Sequence, residues 1–391
     1  FSPIVLKRKL SFLLLVLGLI PLLIHMTGNN HVYKTLRLTI GKGQLGPSLF
    51  EYKDFPGELV KTASPKAWPL SSIYNKIDLT AEENAQHEQY QSGAFLVLFQ
   101  DSILLEKYWG EFSDTSWSNT FSMTKSYTSM AIGAAILSGE IGSLDNYVGD
   151  YLDEFKTEAN MNLTLRHLIT MSSGMSYSEG YLNPFGFVAK LNYGEDLRSL
   201  VLSHSVEEES GKYFEYKGGD TQILALVLEK ATGKSLNAYF EEKIWSKIGA
   251  SRDAYWTYDR PGGMAKASCC FNSNARDLAR LIRVMMNGGR WNDEQLIDST
   301  FTYESLLPAP TLELDGSPNR RYGYQWWMGE FDEVPFFYSR GINGQYAVGI
   351  PSKDLIVVRL GWKRSSKRQD GHPLDLFEYI KSALRIHGTG A

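Results

Sequence analysis

The chain has 391 residues, and 43% of them are hydrophobic, which is enough for one large domain or two closely packed ones. The formal net charge is −4 with both signs dispersed, which argues against the basic surface typical of nucleic-acid-binding proteins. The seven histidines are scattered along the chain, so we expect no metal site and no other cofactor.

The N-terminal region resembles a membrane-targeting segment. Lys7, Arg8 and Lys9 precede residues 10–26, an apolar run without a formal charge. This run is at the short end of what spans a bilayer and longer than the usual hydrophobic region of a signal peptide. Because no small-x-small cleavage site follows, residues 1–30 predict an uncleaved signal anchor, with a cleaved signal peptide as the alternative. Either predicts that the rest of the chain lies on the periplasmic or extracytoplasmic side of the membrane.

The next part of the chain divides into an arm and a main domain. Residues 31–80 are interrupted by proline and glycine and predict a linker with an arm lying on the main body. The main domain, residues 81–391, opens with a helical segment. Two apolar runs around Asp101-Ser102 then predict a β-hairpin, and a helix follows that Gly139 ends.

The remaining pattern predicts an α+β fold. Residues 145–300 show apolar residues at helical spacing in several segments that end near glycine, which predicts a mostly helical subdomain. Strand-like runs and one final helix complete the chain. A sheet built from strands at both ends of the domain, with the helical subdomain inserted between them, accounts for this order.

Ser122 and Lys125, in "TFSMTKS", are spaced so that both side chains share one face of a helix. A serine hydroxyl becomes a good nucleophile when a neighbouring base removes its proton. A lysine can act as this base when its surroundings favour the neutral form, as the buried first turn of a helix does. The pair therefore predicts nucleophilic catalysis, although one Ser-x-x-Lys can also arise by chance in a chain with many serines.

The surrounding sequence resembles that of serine hydrolases of the β-lactamase and penicillin-recognising superfamily. The similarity rests on "TFSMTKS", "LSGEIGSLDNYVGDYLDEF" and "LTLRHLITMSSGMSY" and extends from about Gln91 to the C-terminus. It implies a β-lactamase/transpeptidase-like antiparallel sheet flanked by helices, with Ser122 acylated and Lys125 assisting proton transfer. "KASCCFNSNARDLARL" and "YGYQWW" are similar to the subgroup of 6-aminohexanoate-dimer hydrolases and class C-related, β-lactamase-like esterases.

The second element of that superfamily is Tyr-x-Asn or Tyr-x-Ser. The similarity implies that Tyr216 is the tyrosine that relays protons and that Gly218 occupies the substrate-binding amide or hydroxyl position. Gly218 lacks the side chain that usually forms a hydrogen bond there. Tyr213 is the alternative if the alignment shifts.

The third element is Lys-Thr-Gly or His-x-Gly, and "SRGINGQYAVGIP" resembles it. The similarity places Ile342, Asn343 and Gly344 at those positions, with Gly344 allowing close approach of substrate. It also implies an oxyanion hole formed by the backbone amides of Ser122 and Gln345. Ile342 removes the usual cation, for which Arg340 is a candidate replacement on the same strand face.

Aromatic side chains complete the predicted cleft. The similarity places Tyr177 in a loop that borders the cleft, where it could contact substrate, as could Trp326 and Trp327; each is also a candidate for ordinary packing.

These observations predict an exported, membrane-tethered serine hydrolase that forms an acyl-enzyme at Ser122 on a small ester or amide. Because of Ile342, an esterase or amidase is favoured over a β-lactamase or D-alanyl carboxypeptidase. The alternative from another class is a non-catalytic protein of the same fold that binds peptide or an envelope polymer.

The two cysteines, Cys269 and Cys270, are adjacent, and neighbouring α-carbons lie closer than an ordinary disulfide prefers. We expect two small buried thiols, with a vicinal disulfide as the alternative.

Overall fold

The computed structural model describes residues 18–44, 46–181 and 183–390. Its largest element is an antiparallel sheet of six strands in the order β3-β2-β12-β11-β10-β9. The strands are β1 Gly57–Val60, β2 Ser92–Phe99, β3 Ser102–Tyr108, β4 Ser118–Asn119, β5 Ala254–Thr257, β6 Phe271–Ser273, β7 Arg290–Trp291, β8 Glu294–Gln295, β9 Trp327–Phe331, β10 Val334–Gly341, β11 Gln345–Ile350, β12 Leu355–Gly361, β13 Arg368–Gln369 and β14 His372–Pro373.

Helices cover both faces of this sheet. The predicted β-lactamase-like α+β fold, with a sheet assembled from the two ends of the domain, is confirmed. The helices are α1 His31–Leu38, α2 Ala81–Gln89, α3 Met123–Leu137, α4 Leu165–Ile169, α5 Phe187–Tyr193, α6 Leu197–Leu202, α7 Gly218–Thr232, α8 Leu236–Phe240, α9 Ala275–Met286, α10 Ser299–Ser305 and α11 Leu374–Gly390.

The central strands are apolar on both faces because each face is covered. Successive side chains of a strand point to opposite faces. Leu96 and Leu98 of β2 belong to the core that also contains α9, whereas Phe95 and Val97 belong to the core beneath α11. The sheet therefore lies between two separate apolar layers.

The hairpin of β2 and β3 forms as predicted, with its turn one residue earlier. Gln100 and Asp101 form the turn in the left-handed region, with φ of 46° and 60°, and Phe99 pairs with Ser102. Two residues with positive φ produce the turn that matches the twist of antiparallel strands.

A second sheet, in the order β1-β5-β6-β4, is where the structure adds most to the sequence prediction. β1 lies within residues 31–80, the predicted arm, and pairs with β5. β5 and β6 come from residues 145–300, so that region contributes strands as well as helices. β4 pairs with β6 and leads directly into Ser122, which ties the start of α3 to this sheet.

The predicted anchor comprises residues 1–30, of which residues 1–17 lie outside the described part of the chain. Residues 18–26 are helical. Within the described part of the chain, no helix combines the length and the apolar character needed to cross a membrane.

Candidate active site

Ser122 lies at the junction of β4 and the buried helix α3, on a backbone held by hydrogen bonds. Phe121 has φ of 48°, an unfavourable conformation for a bulky residue that the surrounding structure must hold in place. Its amide donates to Asn119 Oδ1 at 2.8 Å, and its carbonyl accepts from Thr124 Oγ1 at 2.7 Å. Ser122 N–H has no acceptor among the described residues. The hydroxyl and the amide of Ser122 are thus presented together at the N-terminal end of α3.

Lys125 is only 4% exposed and points to Ser122 rather than to solvent. Its Nζ donates to Ser122 Oγ at 3.2 Å and to Ser268 O at 2.8 Å. The same ammonium lies 4.9 Å from the centre of the Tyr216 ring. The structure therefore brings together the three residues that the sequence predicted to act together.

Tyr216 precedes α7 and is oriented by aromatic neighbours. Its ring centre is 5.5 Å from that of Trp327 and 5.9 Å from that of Tyr322. Tyr213, the alternative tyrosine, does not line the cleft and has Lys212 Nζ 5.3 Å from its ring centre. The geometry favours Tyr216 over Tyr213.

Ser122 opens into a cleft with a volume of about 1140 Å³. Four residues predicted to bind substrate line this cleft, namely Trp327, Arg340, Ile342 and Asn343. The described residues contain no cluster of His, Cys, Asp and Glu that could hold a metal ion. Further lining residues include Glu179, Tyr181, Glu215, Tyr216, Glu313, Asp315, Arg321, Lys363, Arg364 and Arg368.

Tyr177 lies in a loop that borders the cleft, as predicted, since Glu179 and Tyr181 of this loop line it, but its own side chain packs in the interior and does not reach substrate space. The side chain is 3% exposed, stacks on Phe187 with ring centres 4.4 Å apart, and donates its hydroxyl hydrogen to Asp220 Oδ1. Burial and the Asp220 carboxylate raise the pKa of Tyr177 well above its usual value. Burial also raises the pKa of Asp220 to about 7. Tyr177 belongs to a buried polar network behind the site, and Trp326 is fully buried as well.

Gly344 was predicted to let substrate approach the backbone closely, but other residues of the protein occupy the space beside its Cα. A Cβ at this position would meet Lys363 O at 2.9 Å, and the Arg359 guanidinium packs even closer. With φ of 81° as well, the position requires glycine for the turn and for packing. Gly344 is not among the residues lining the cleft.

The oxyanion donor predicted at Gln345 is also wrong, because its amide is used in the sheet. Neighbouring residues of an antiparallel strand direct their amides to opposite sides. Asp332 and Glu333 form a tight turn in which both φ values are positive. In such a turn, the two strand residues on either side form a hydrogen-bonded pair. Counting along β10 from that turn, Gly341 forms its hydrogen bonds with β11, and its partner there is Gln345.

The same count leaves the amide of Arg340 free of the sheet. It points to the side of β10 that faces β9, but β9 begins at Trp327, which pairs with Tyr338. Beyond that pair the β10 edge is open and adjoins Ser122 in the cleft. By the same alternation the amide of Ile342 also points to this open side, and Ile342 lines the part of the cleft that holds Ser122 and Lys125. The amides that face the cleft are therefore that of Ser122 and, at the open edge of β10, those of Arg340 and Ile342.

A carboxylate from a distant loop fills the space left by Gly218. The Gly218 amide donates to Glu179 Oε1, and a Cβ on Gly218 would lie 2.8 Å from that oxygen. Glu179 lines the cleft with Tyr181. Sequence analysis missed Glu179 and Tyr181, although "SEGY" directly follows the quoted "GMSY".

Cys269 and Cys270 are joined by a disulfide, so the prediction of two free thiols is wrong. Both are 7% exposed, and they line the part of the cleft that holds Lys125. The adjacent Ser268 carbonyl accepts the Lys125 hydrogen bond, so the disulfide directly follows a residue that holds Lys125.

Residues 77–376 match the protein family described as Beta-lactamase, which is well over half of the chain and includes Ser122, Lys125 and Tyr216. The protein belongs to the beta-lactamase family. The resemblance inferred from the sequence motifs is thereby confirmed, and with it the assignment to a group of serine hydrolases.

Individual members of the beta-lactamase family align over most of their length. The 6-aminohexanoate-dimer hydrolase of Paenarthrobacter ureafaciens is 26% identical over 330 residues, covering 78% of this chain and 83% of the relative. A Bacillus anthracis structure, provisionally assigned as a 6-aminohexanoate-dimer hydrolase, has a TM-score of 0.73 at 21% identity, covering 87% of this chain and 93% of its own. A family VIII carboxylesterase structure has a TM-score of 0.59 at 19% identity, covering 79% of this chain and 99% of its own.

Proposed function

We propose that this beta-lactamase family protein is an acyl hydrolase, an esterase or amidase, that forms an acyl-enzyme at Ser122. The observation that carries the proposal is the 3.2 Å contact between Lys125 Nζ and Ser122 Oγ within a buried helical turn. A nucleophile within hydrogen-bonding distance of its base, with the base held by a further group, is the arrangement that nucleophilic catalysis requires. Ser268 O is that further group.

In the proposed reaction, Ser122 Oγ attacks the substrate carbonyl carbon and its proton passes to the Lys125–Tyr216 pair. The bond to the leaving oxygen or nitrogen then breaks, and the pair returns the proton to that atom. Water next attacks the acyl-enzyme and gives up a proton to the same pair, which releases the carboxylic acid and restores Ser122.

Negative charge on the carbonyl oxygen develops during both attacks. We infer that the amide of Ser122 and one amide of the open β10 edge, that of Arg340 or Ile342, donate to this oxygen, since these amides adjoin the cleft and have no other acceptor among the described residues. Fixed donors of this kind stabilise the transition state because they need no reorganisation during the reaction.

Ile342 in the cleft wall favours a simple ester or amide over a β-lactam, because it supplies no cation for a carboxylate. A relative that cleaves an aminohexanoate dimer and a fold neighbour that is a carboxylesterase support this choice. The decisive experiment treats residues 31–391 with a fluorophosphonate probe, using Ser122→Ala as the negative variant. Ser138→Ala, at the exposed end of the same helix, is the matched control.

We expect labelling of wild type and Ser138→Ala but not of Ser122→Ala. A well-folded wild-type protein that does not label would instead support the non-catalytic binding protein. A panel of p-nitrophenyl esters, nitrocefin and linear amide dimers then ranks the substrate classes, and faster turnover of nitrocefin than of the esters would contradict our choice.

The acid–base roles can be tested separately from the nucleophile. Lys125→Ala should lower the acylation rate by roughly 10²- to 10⁴-fold, the range typical of general acid–base catalysis. Tyr216→Phe keeps the ring against Trp327 but removes the hydroxyl, and we expect a loss in the same range. Tyr213→Phe is the matched control, since Tyr213 lies outside the cleft lining. Stopped-flow burst kinetics measure the acylation step, and a full rate in Lys125→Ala would assign the base elsewhere.

We also propose that residues 1–30 tether the protein to a membrane, with the catalytic domain on the extracytoplasmic side. The support is the basic cluster of Lys7, Arg8 and Lys9 before the apolar run. Removing residues 1–27 should release active protein from the membrane fraction. Membrane association that persists after this truncation would contradict the tether.

A further inference from the structure

Three arginines converge on one glycine at the wall of the cleft. Arg340 Nη1 and Arg368 Nη1 each donate to Gly371 O at 3.3 Å, so two guanidinium groups share one acceptor. The guanidinium of Arg321 packs against Gly371 itself, in the space that a Cβ would occupy. Arg364 lines the same wall. These residues come from four separate positions of the chain, and the fold collects them.

Among the described residues, the carboxylates that line the cleft contact other groups and form no salt bridge with Arg340, Arg364 or Arg368. Glu313 binds Arg321 through two hydrogen bonds of 2.8 and 2.7 Å. Glu215 is 2.9 Å from Lys217 Nζ. Asp315 accepts from Ser317, and Glu179 accepts from Gly218.

Arg340, Arg364 and Arg368 therefore have no carboxylate partner in the described part of the chain. Positive charges held close together repel one another, and they also lower the pKa of a neighbouring basic group. Burial, followed by the charges of Arg340, Arg321 and Arg368, lowers the pKa of His372 to about 3. The positive charge of Arg340, Arg364 and Arg368 is therefore available to an anion in the cleft.

The orientation of Arg340 is set before any ligand arrives. Its guanidinium lies 3.4 Å from the centre of the Trp327 ring, a stacked cation–π contact. Planar guanidinium groups present paired N–H donors that match the oxygens of carboxylate and phosphate. One carboxylate can be bound by a single arginine, so three without partners suit a group with more than one negative charge.

We propose that Arg340, Arg364 and Arg368, here called the arginine cluster, bind a multiply anionic group of the substrate, a phosphate or a pair of carboxylates. The substrate class is thus an ester or amide that bears such a group within reach of the cleft wall. This inference rests on the proposed function and narrows it.

The first test compares p-nitrophenyl esters of similar acyl length with increasing charge. These are the neutral butyrate, the half-ester of glutarate, and 4-phosphonobutyrate. A second pair, phenyl acetate and 4-acetoxyphenyl phosphate, places the charge on the leaving group. We expect kcat/KM to increase with negative charge in at least one series and this preference to decrease as ionic strength rises. Equal rates for charged and neutral members of both series would overturn the proposal.

Variants connect this preference to the arginine cluster. Arg364→Gln and Arg368→Gln should each lower the ratio of kcat/KM for charged over neutral ester about tenfold, the effect of losing one hydrogen-bonded charge. Arg320→Gln is the matched control, because Arg320 is exposed, neighbours Arg321 in sequence and does not line the cleft. A ratio that stays the same in both cluster variants would contradict the assignment.

Calorimetry on the Ser122→Ala protein separates this inference from the proposed function. Inorganic phosphate and glutarate are titrated in turn, and the anion whose affinity falls in Arg368→Gln identifies the source of the charge. Binding of neither anion would overturn the proposal even if the fluorophosphonate labels Ser122. If an anion binds in an arginine-dependent way but the fluorophosphonate does not label the wild-type protein, the anion site is supported and the proposed hydrolase activity is contradicted.

Discussion

Gly218 and Glu179 show how one missing side chain is replaced by another from a distant segment. The amide or hydroxyl expected two residues after Tyr216 is absent, and the Glu179 carboxylate fills the space beside the Gly218 amide. Gln345 is buried and paired with Gly341 in the sheet, so the open edge of β10 presents the amides of Arg340 and Ile342 to the cleft instead. The residue types around Ser122 thus differ from those the motifs imply, while the Ser122–Lys125 contact is as predicted.

The buried carboxyl group of Asp220 makes the free energy of unfolding depend on pH. Its pKa rises from 3.8 to about 7 because it is buried, so the folded state holds a proton that the unfolded chain releases. The free energy of unfolding therefore falls as pH rises from about 4 through about 7. In Asp220→Asn, which cannot ionise, the decrease between pH 5 and pH 8 should be smaller by roughly 2 kcal/mol.

Urea unfolding at a series of pH values measures this difference. Asp293→Asn, at an exposed position, serves as the control and should follow wild type. Parallel pH profiles for wild type and Asp220→Asn would contradict the assignment of this ionisation.

The helix α3 illustrates how an element is fixed by its surroundings. It is buried from Met123 to Ala135, and Gly133 lies where α3 meets the residues around α10. A Cβ there would lie 2.5 Å from both Ile297 Cγ2 and Phe301 Cδ1. The glycine weakens the helix intrinsically but allows the close packing that holds α3 in place.

Gly133→Ala should therefore destabilise the protein even though alanine is the better helix former. Alanine contributes about 1 kcal/mol in helix propensity. The overpacking costs about 1–3 kcal/mol, so we expect a net loss. Gly388→Ala in α11 is the control, because a Cβ there meets nothing within 4 Å, and we expect it to be neutral or stabilising. Urea unfolding compares the two, and a stabilised Gly133→Ala would show that the α3 packing is looser than described.

Two buried histidines at different places along the sheet, His87 and His372, make the stability of the whole molecule depend on pH. His87 packs among Trp109, Phe95 and Tyr379, with ring centres 4.7, 4.7 and 5.2 Å away, and burial lowers its pKa to about 3. His372 lies under the opposite part of the sheet, and its pKa is also about 3. The unfolded chain binds these protons near pH 6.5, whereas the folded protein does not. Acid therefore lowers the free energy of unfolding.

We expect the free energy of unfolding to fall as pH drops from 6.5 towards 3, because only the unfolded state binds these protons readily. His87→Phe keeps an aromatic ring in the pocket. Between pH 6.5 and pH 4.5, its free energy of unfolding should fall by roughly 2 kcal/mol less than that of wild type. His387→Phe, at a half-buried position against Phe99, is the control. The same acid slope in wild type and His87→Phe would contradict the prediction.

Much of the fold was predictable because local periodicity encodes it. The β2–β3 hairpin, α3, α7, α9 and the terminal helix all follow from the spacing of apolar residues and from glycines at their ends. The small second sheet was not predicted, since β4 and β6 are two and three residues long and gain their pairing only from distant partners.

By itself, the sequence determined the alternation of strands and helices, the family, and the approach of Lys125 to Ser122, because three residues along a helix always bring side chains to one face. Only the tertiary structure decided which amide adjoins Ser122, that Tyr177 is buried, and that Arg340, Arg364 and Arg368 share one wall. These features depend on strand register and on turns that join segments far apart in the chain, which no local spacing specifies.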